Sequence, residues 1–121
     1  MKPRIVLAAT LALIAAPVSG ESFASEESSS KELSLGIKTY KDFCSHCHGL
    51  NMVNPGTSSY DLRKWPVDNK NGFVSAVKDG KGDMPAWGDI LIPKEVEALW
   101  RYVATRGGKE PFPESSAESG S

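Results

Sequence analysis

Apolar residues along this chain fall into four stretches. The first is a continuous run over residues 5–16, preceded by Lys2 and Arg4 and followed by Pro17 and small residues. The other three are spaced at helical intervals. Leu33, Leu35, Ile37, Tyr40 and Phe43 predict a helix over residues 31–43. Phe73, Ala76 and Val77 predict a shorter helix over 72–78, which Gly80 breaks. Val96, Leu99, Trp100 and Val103 stand at i, i+3, i+4 and i+7, with Pro93 suited to the first turn and Gly107-Gly108 stopping the helix. The strand-and-helix alternation of an α/β fold is missing, so the expected class is all-α with three main helices. A glycine inside a helix costs about 1 kcal/mol relative to alanine. Gly36 therefore suggests a close crossing of the first and last helices, with Gly36 and Tyr40 against Leu99 and Tyr102 or Val103.

The amino-terminal run has the order of a secretory leader: basic residues, a short apolar segment, then small residues. It is short for a membrane span. Residues 1–24 are read as a leader cleaved after Gly20 or Ala24, residues 25–31 as a polar linker without fixed structure, residues 32–109 as one domain, and 110–121 as a polar, disordered tail. Such a small domain buries a modest core and usually needs a disulfide, a metal or a large apolar insert. The near-neutral total charge, -1, conceals a mildly basic body: residues 33–109 hold eleven Lys and Arg against eight Asp and Glu. That excess is too small to suggest nucleic acid, but suits an acidic protein partner.

Both cysteines of the chain lie in Cys44-Ser45-His46-Cys47-His48. This C-x-x-C-H spacing lets two thiols add to the vinyl groups of one haem while the following histidine reaches its iron. A structural zinc site would want a second ligand cluster farther along the chain. A thioredoxin-like redox disulfide, the stronger rival, expects the missing α/β pattern. Two incidental cysteines would leave His48 unexplained. The reading is one covalent haem c, with Cys44 and Cys47 as thioethers and His48 as an axial iron ligand. Such attachment takes place outside the bacterial inner membrane, which agrees with export to the periplasm.

The second axial ligand is sought in Gly80-Lys81-Gly82-Asp83-Met84-Pro85-Ala86-Trp87. Met84 follows His48 by thirty-six residues, enough chain to wrap a porphyrin, whereas Met52 follows by only four. A thioether favours ferrous iron relative to a second imidazole. Core packing by Met84 is the plain alternative. Pro55 is a candidate for shaping the wall beside His48. Tyr60, Arg63 and Trp65 could bring a phenol, a guanidinium and an indole to the haem propionates, since buried carboxylates need such partners. Their plain alternatives are a core Trp65 and an exposed Arg63.

A helix running into C-x-x-C-H-G, a later M-P-x-W segment and an amphipathic last helix resemble a small class I cytochrome c over almost the whole body. The segments His48-Gly49-Leu50-Asn51-Met52-Val53-Asn54-Pro55-Gly56, Asp61-Leu62-Arg63-Lys64 and Gly80-Lys81-Gly82-Asp83-Met84-Pro85-Ala86-Trp87-Gly88-Asp89 are similar to the cytochromes that accept electrons from pyrroloquinoline-quinone alcohol dehydrogenases. The resemblance implies a soluble, monomeric periplasmic carrier between a quinoprotein methanol or ethanol dehydrogenase and a terminal oxidase or its donor cytochrome. One departure is Ile92, where the family usually has a hydroxyl residue before the last helix. The alternatives are a cytochrome serving another periplasmic dehydrogenase, a peroxidase-type haem enzyme, which would need an open sixth position, or a docking subunit of a respiratory complex. An electron carrier is expected.

Overall fold

The computed structural model describes residues 2–6, 8–17 and 21–114. The cleavage point after Gly20 and residues 115–121 of the expected tail lie outside the described residues. Residues 2–6 and 8–17 are exposed and carry no helix or strand, and no described helix is long and apolar enough to cross a membrane. Among the described residues the elements are α1 (Glu21–Phe43), α2 (Ser45–His48), α3 (Lys70–Asp79) and α4 (Pro93–Ala104), with short 3-10 turns at Leu50–Met52 and Leu62–Lys64 and no strand. This is the expected all-α class.

The first helix begins ten residues before Lys31, so residues 25–31 are helical rather than an unstructured linker. Their side chains are exposed. Extending an existing helix needs no new nucleus, and Lys31 Nζ reaches Glu27 at 2.6 Å, one turn apart. Where the helix becomes apolar it packs across α4. A Cβ placed on Gly36 would lie 2.1 Å from the Ala98 carbonyl oxygen and 3.1 Å from Tyr102 Cβ. The crossing therefore falls on Ala98 and Tyr102, slightly to one side of Leu99. One turn on, the Tyr40 and Tyr102 rings pack with centroids 4.8 Å apart.

The helix α3 starts two residues early because Asn69 caps it, accepting from the Gly72 amide at 3.0 Å. Its buried Lys70 reaches Glu97 of α4 at 2.7 Å, joining the two helices. Phe73 and Val77 meet Trp100, Leu99 and Val103 in the core, with the Phe73 and Trp100 rings 5.4 Å apart. Ile92 offers α4 no side-chain acceptor, yet Glu95 reaches back and accepts from the Ile92 amide at 3.0 Å. Half of a capping box thus survives the missing hydroxyl.

The carboxy-terminal body runs farther than the sequence suggested. The Lys109 and Glu110 amides both donate to the Thr105 carbonyl at 2.9 Å. Phe112 packs against the core, with the Arg101 guanidinium 4.0 Å over its ring. Arg101 also binds Glu32 of α1, so residues 110–112 are fixed to the fold rather than part of a disordered tail.

Gly36→Ala should lower the stability of the haem-loaded protein by about 1–3 kcal/mol. The opposing gain in helix propensity is about 1 kcal/mol. Urea denaturation followed by far-ultraviolet circular dichroism measures the difference; an unchanged or raised midpoint would show that the helices part without cost.

Candidate functional site

The motif begins where α1 ends. The Cys44 amide still donates to Tyr40 O at 2.8 Å, and the His48 amide returns to Cys44 O at 3.0 Å. One helical turn therefore carries both thiols and the imidazole. Cys44 is partly buried against the core and Cys47 is exposed. Burial, assisted by the neighbouring Cys47, pushes the Cys44 thiol up to about 12. A redox-active C-x-x-C needs the opposite shift, because the thiolate is the nucleophile. Above the motif, the Phe43 and Trp87 rings meet edge to face at 5.5 Å.

Three successive residues are held from three directions. The Thr57 hydroxyl donates to Cys47 O at 2.8 Å, His48 Nδ1 bonds to Tyr60 O at 2.8 Å, and the Tyr40 hydroxyl donates to Gly49 O at 2.7 Å. A carbonyl can only accept, so Nδ1 carries the proton and Nε2 keeps its lone pair. That tautomer is the one a metal-bound histidine needs. Gly49 follows with φ 86°, and a Cβ there would sit 1.7 Å from Val53 O and 3.0 Å from Pro55 Cδ. Only glycine permits this reversal. Pro55 thus stands against the turn after His48, as expected, but the carbonyl facing the imidazole belongs to Tyr60.

The two methionines differ sharply. Met52 is 2% exposed and belongs to the core, whereas Met84 is half-buried in a turn between α3 and α4. Lys81 and Met84 pair through two main-chain bonds of 3.1 and 3.0 Å. Gly82 between them takes a left-handed φ of 58°, and a Cβ on Gly80 would lie 2.6 Å from Met84 O. Beyond the turn, the Trp87 and Gly88 amides bond to Val77 O and Lys78 O at 2.8 and 3.1 Å. The Met84 turn is therefore fastened to the end of α3.

The side chains expected at the propionates make contacts within their own loop. Arg63 forks onto Asp61, with Nε and one Nη each at 2.9 Å, and holds that carboxyl below its ordinary range. Trp65 Nε1 donates to Asn69 O at 3.0 Å, and the Tyr60 hydroxyl donates to Lys64 O at 3.3 Å. These partners lie two to four residues away. Arg106 was missed by sequence reasoning. With φ 51° it crosses from the end of α4 to Leu62 O and Trp65 O at 3.2 and 2.7 Å, anchoring that loop.

Two thiols on one turn, an imidazole with Nε2 free and a thioether on a fastened, glycine-bounded turn form a donor set that fits one haem c. The comparisons agree. Residues 31–103 match the family described as "Cytochrome C oxidase, cbb3-type, subunit III". A cytochrome c6 of Gloeothece citriformis is 33% identical over 78 residues, covering 61% of this chain and 71% of that protein. A cytochrome c6 of Tetradesmus obliquus is 35% identical over 83 residues, covering 61% and 90%. The quinohemoprotein alcohol dehydrogenase ADH-IIG of Pseudomonas putida is 30% identical over 76 residues, 61% of this chain but only 10% of the enzyme. No solved structure matches significantly. The chain belongs to this cytochrome c family and is a small class I cytochrome c. It is an electron carrier with one covalently bound haem c, not an enzyme.

The phenols beneath the motif give a pH dependence. Burial raises both Tyr40 and Tyr102 above the ordinary tyrosine value, so the folded chain keeps protons that the unfolded chain releases near pH ~10. Their contribution is complete below that pH and is lost as pH rises toward the folded values. Tyr40→Phe should lower stability at neutral pH by about 1–3 kcal/mol, because Gly49 O loses its buried partner. The same variant should lose less than wild type between neutrality and alkaline pH. Denaturation midpoints across that range test this; parallel curves would mean that the Tyr40 phenol does not contribute to the alkaline transition.

Proposed function

We propose that the protein is exported to the periplasm and carries single electrons from a quinoprotein alcohol dehydrogenase to a terminal oxidase or its donor cytochrome. Cys44 and Cys47 would hold the haem, and His48 and Met84 would ligate its iron. The observation that carries this reading is the Nδ1–H of His48 fixed on the Tyr60 carbonyl, on a turn that also carries both thiols. When bound, the haem supplies a one-electron couple. The chain's part is to keep the two ligands in place in both oxidation states: His48 by its hydrogen bond, Met84 by the paired turn on α3.

Support for the donor comes from the segments shared with the quinoprotein-linked cytochromes and from the Pseudomonas putida dehydrogenase, one tenth of which aligns with this chain. A module built into that enzyme is, in this reading, a separate carrier. Lys81, beside Met84, is exposed and makes no ion pair among the described residues. It is positioned to steer an acidic donor. The basic leader and the apolar run over residues 5–16 support export.

Met84→Ala should retain the haem, lose the far-red sulfur-to-iron band of the ferric protein and admit exogenous ligands. Met52→Ala should keep that band while losing about 2–5 kcal/mol of stability, because its side chain fills the core. The reverse spectral pattern would transfer the ligand role to Met52.

The donor is tested by stopped-flow reduction. A quinoprotein alcohol dehydrogenase from the same organism, given its alcohol, should reduce the ferric protein rapidly. The rate should fall as added salt shortens the Debye length from about 8 Å at physiological ionic strength, and Lys81→Glu should slow it at low salt. Slow reduction by that enzyme, beside fast reduction by another periplasmic donor, would leave the carrier and replace its partner.

A further inference from the structure

The loop that brings the Tyr60 carbonyl to His48 has little apolar anchorage. Val53, Pro55, Gly56, Thr57, Ser58 and Tyr60 are all exposed. Hydrogen bonds shape it instead, and they converge on the half-buried Asn54. Its Oδ1 accepts from the Gly56 and Thr57 amides at 2.9 and 2.8 Å and faces the Thr57 hydroxyl at 3.2 Å, while Nδ2 donates to Ser59 O at 2.6 Å. Both groups that touch the motif leave from this loop: the Thr57 hydroxyl on Cys47 O and the Tyr60 carbonyl on His48 Nδ1.

We infer that Asn54 is the positioning residue for His48, folding residues 54–60 into the brace that holds the imidazole in its iron-binding tautomer and strengthens it as a donor. The inference rests on His48 being an iron ligand. Asn54 touches neither iron nor haem in this role; it acts through the main chain of Ser59 and Tyr60. A carbonyl accepting from Nδ1–H raises the donor strength of the opposite nitrogen and so favours ferric iron. Losing that bond favours ferrous iron. General loosening of the site has the opposite sign, because admitted water stabilises the more highly charged ferric state. The direction of the shift therefore separates positioning from mere structural support.

The test uses the full-length, haem-loaded protein equilibrated with a redox dye at fixed ambient potential. Asn54→Ala should move the ferrous-to-ferric ratio about tenfold toward ferrous, at the lower end of what losing an outer-shell partner does at a metal site. This equals about 59 mV for one electron. Asn54→Ser keeps a neutral acceptor for the Gly56 and Thr57 amides but loses the donor to Ser59 O, and should move the ratio the same way by less. If Asn54→Ala fails to fold, the serine variant, which adds no charge, decides by the sign of its shift. Thr57→Val leaves the Tyr60 bond in place and should hold the Nδ1–H exchange rate of the ferrous protein near wild type, while both Asn54 variants speed it. A ratio that stays put or moves toward ferric overturns the inference. Hyperfine-shifted His48 resonances missing from the wild-type ferric protein would fault the ligand assignment itself; their presence beside unmoved variants faults only the role of Asn54.

Discussion

Everything near the motif depends on the absence of a side chain at position 36. Gly36 lets the backbone of α1 come so close to Ala98 of α4 that the first atom of any side chain would overlap the carbonyl. The close crossing brings Tyr40 onto Tyr102 one turn later, which in turn aims the Tyr40 hydroxyl at Gly49 O. A packing constraint between two helices thus becomes a positional constraint on the residue after His48. The polar start of α1 carries local pairs such as Glu27–Lys31.

The site is braced mainly through main-chain groups. Cys47, His48 and Gly49 are held by Thr57, Tyr60 and Tyr40 respectively, and the Met84 turn is pinned to the last carbonyls of α3. Each net hydrogen bond contributes only about 0.5–1.5 kcal/mol. Their value lies in geometry, because two come from the loop of residues 54–60 and the third from α1. Arg106 extends the same device, tying Leu62 and Trp65 to the end of α4.

The three main helices, the Gly36 crossing and the haem motif were legible in the sequence because each depends on local periodicity or fixed spacing. The class I cytochrome reading followed from their order. The long start of α1 was not legible, since residues 25–31 have no apolar stripe and gain helicity by continuation. Phe112 was hidden in a polar, proline-flanked tail, and its partner Arg101 lies on a helix face that looks merely solvated. Tyr60, Arg63 and Trp65 were singled out by side-chain chemistry alone, which does not show their local partners two to four residues away; donors inside a loop commonly find acceptors that near. The Tyr60 carbonyl could not have been found from residue types, because every residue has one. Asn54 left a faint trace: an asparagine before Pro-Gly-Thr is a turn signal, though nothing in it points to His48.

An electron carrier is served by a site that changes little between oxidation states. Nε2 of His48 and the sulfur of Met84 belong to segments secured to different partners, the loop of residues 54–60 for one and the end of α3 for the other. A haem joined to Cys44 and Cys47 would be attached to the same turn that carries His48. The proposed Met84 bond is then the contact most open to competition, being the one made by a neutral thioether on a half-buried turn. In a protein whose other braces converge on His48, loss of that bond would leave the haem attached and the proximal side intact, so iron coordination can change without unfolding the chain.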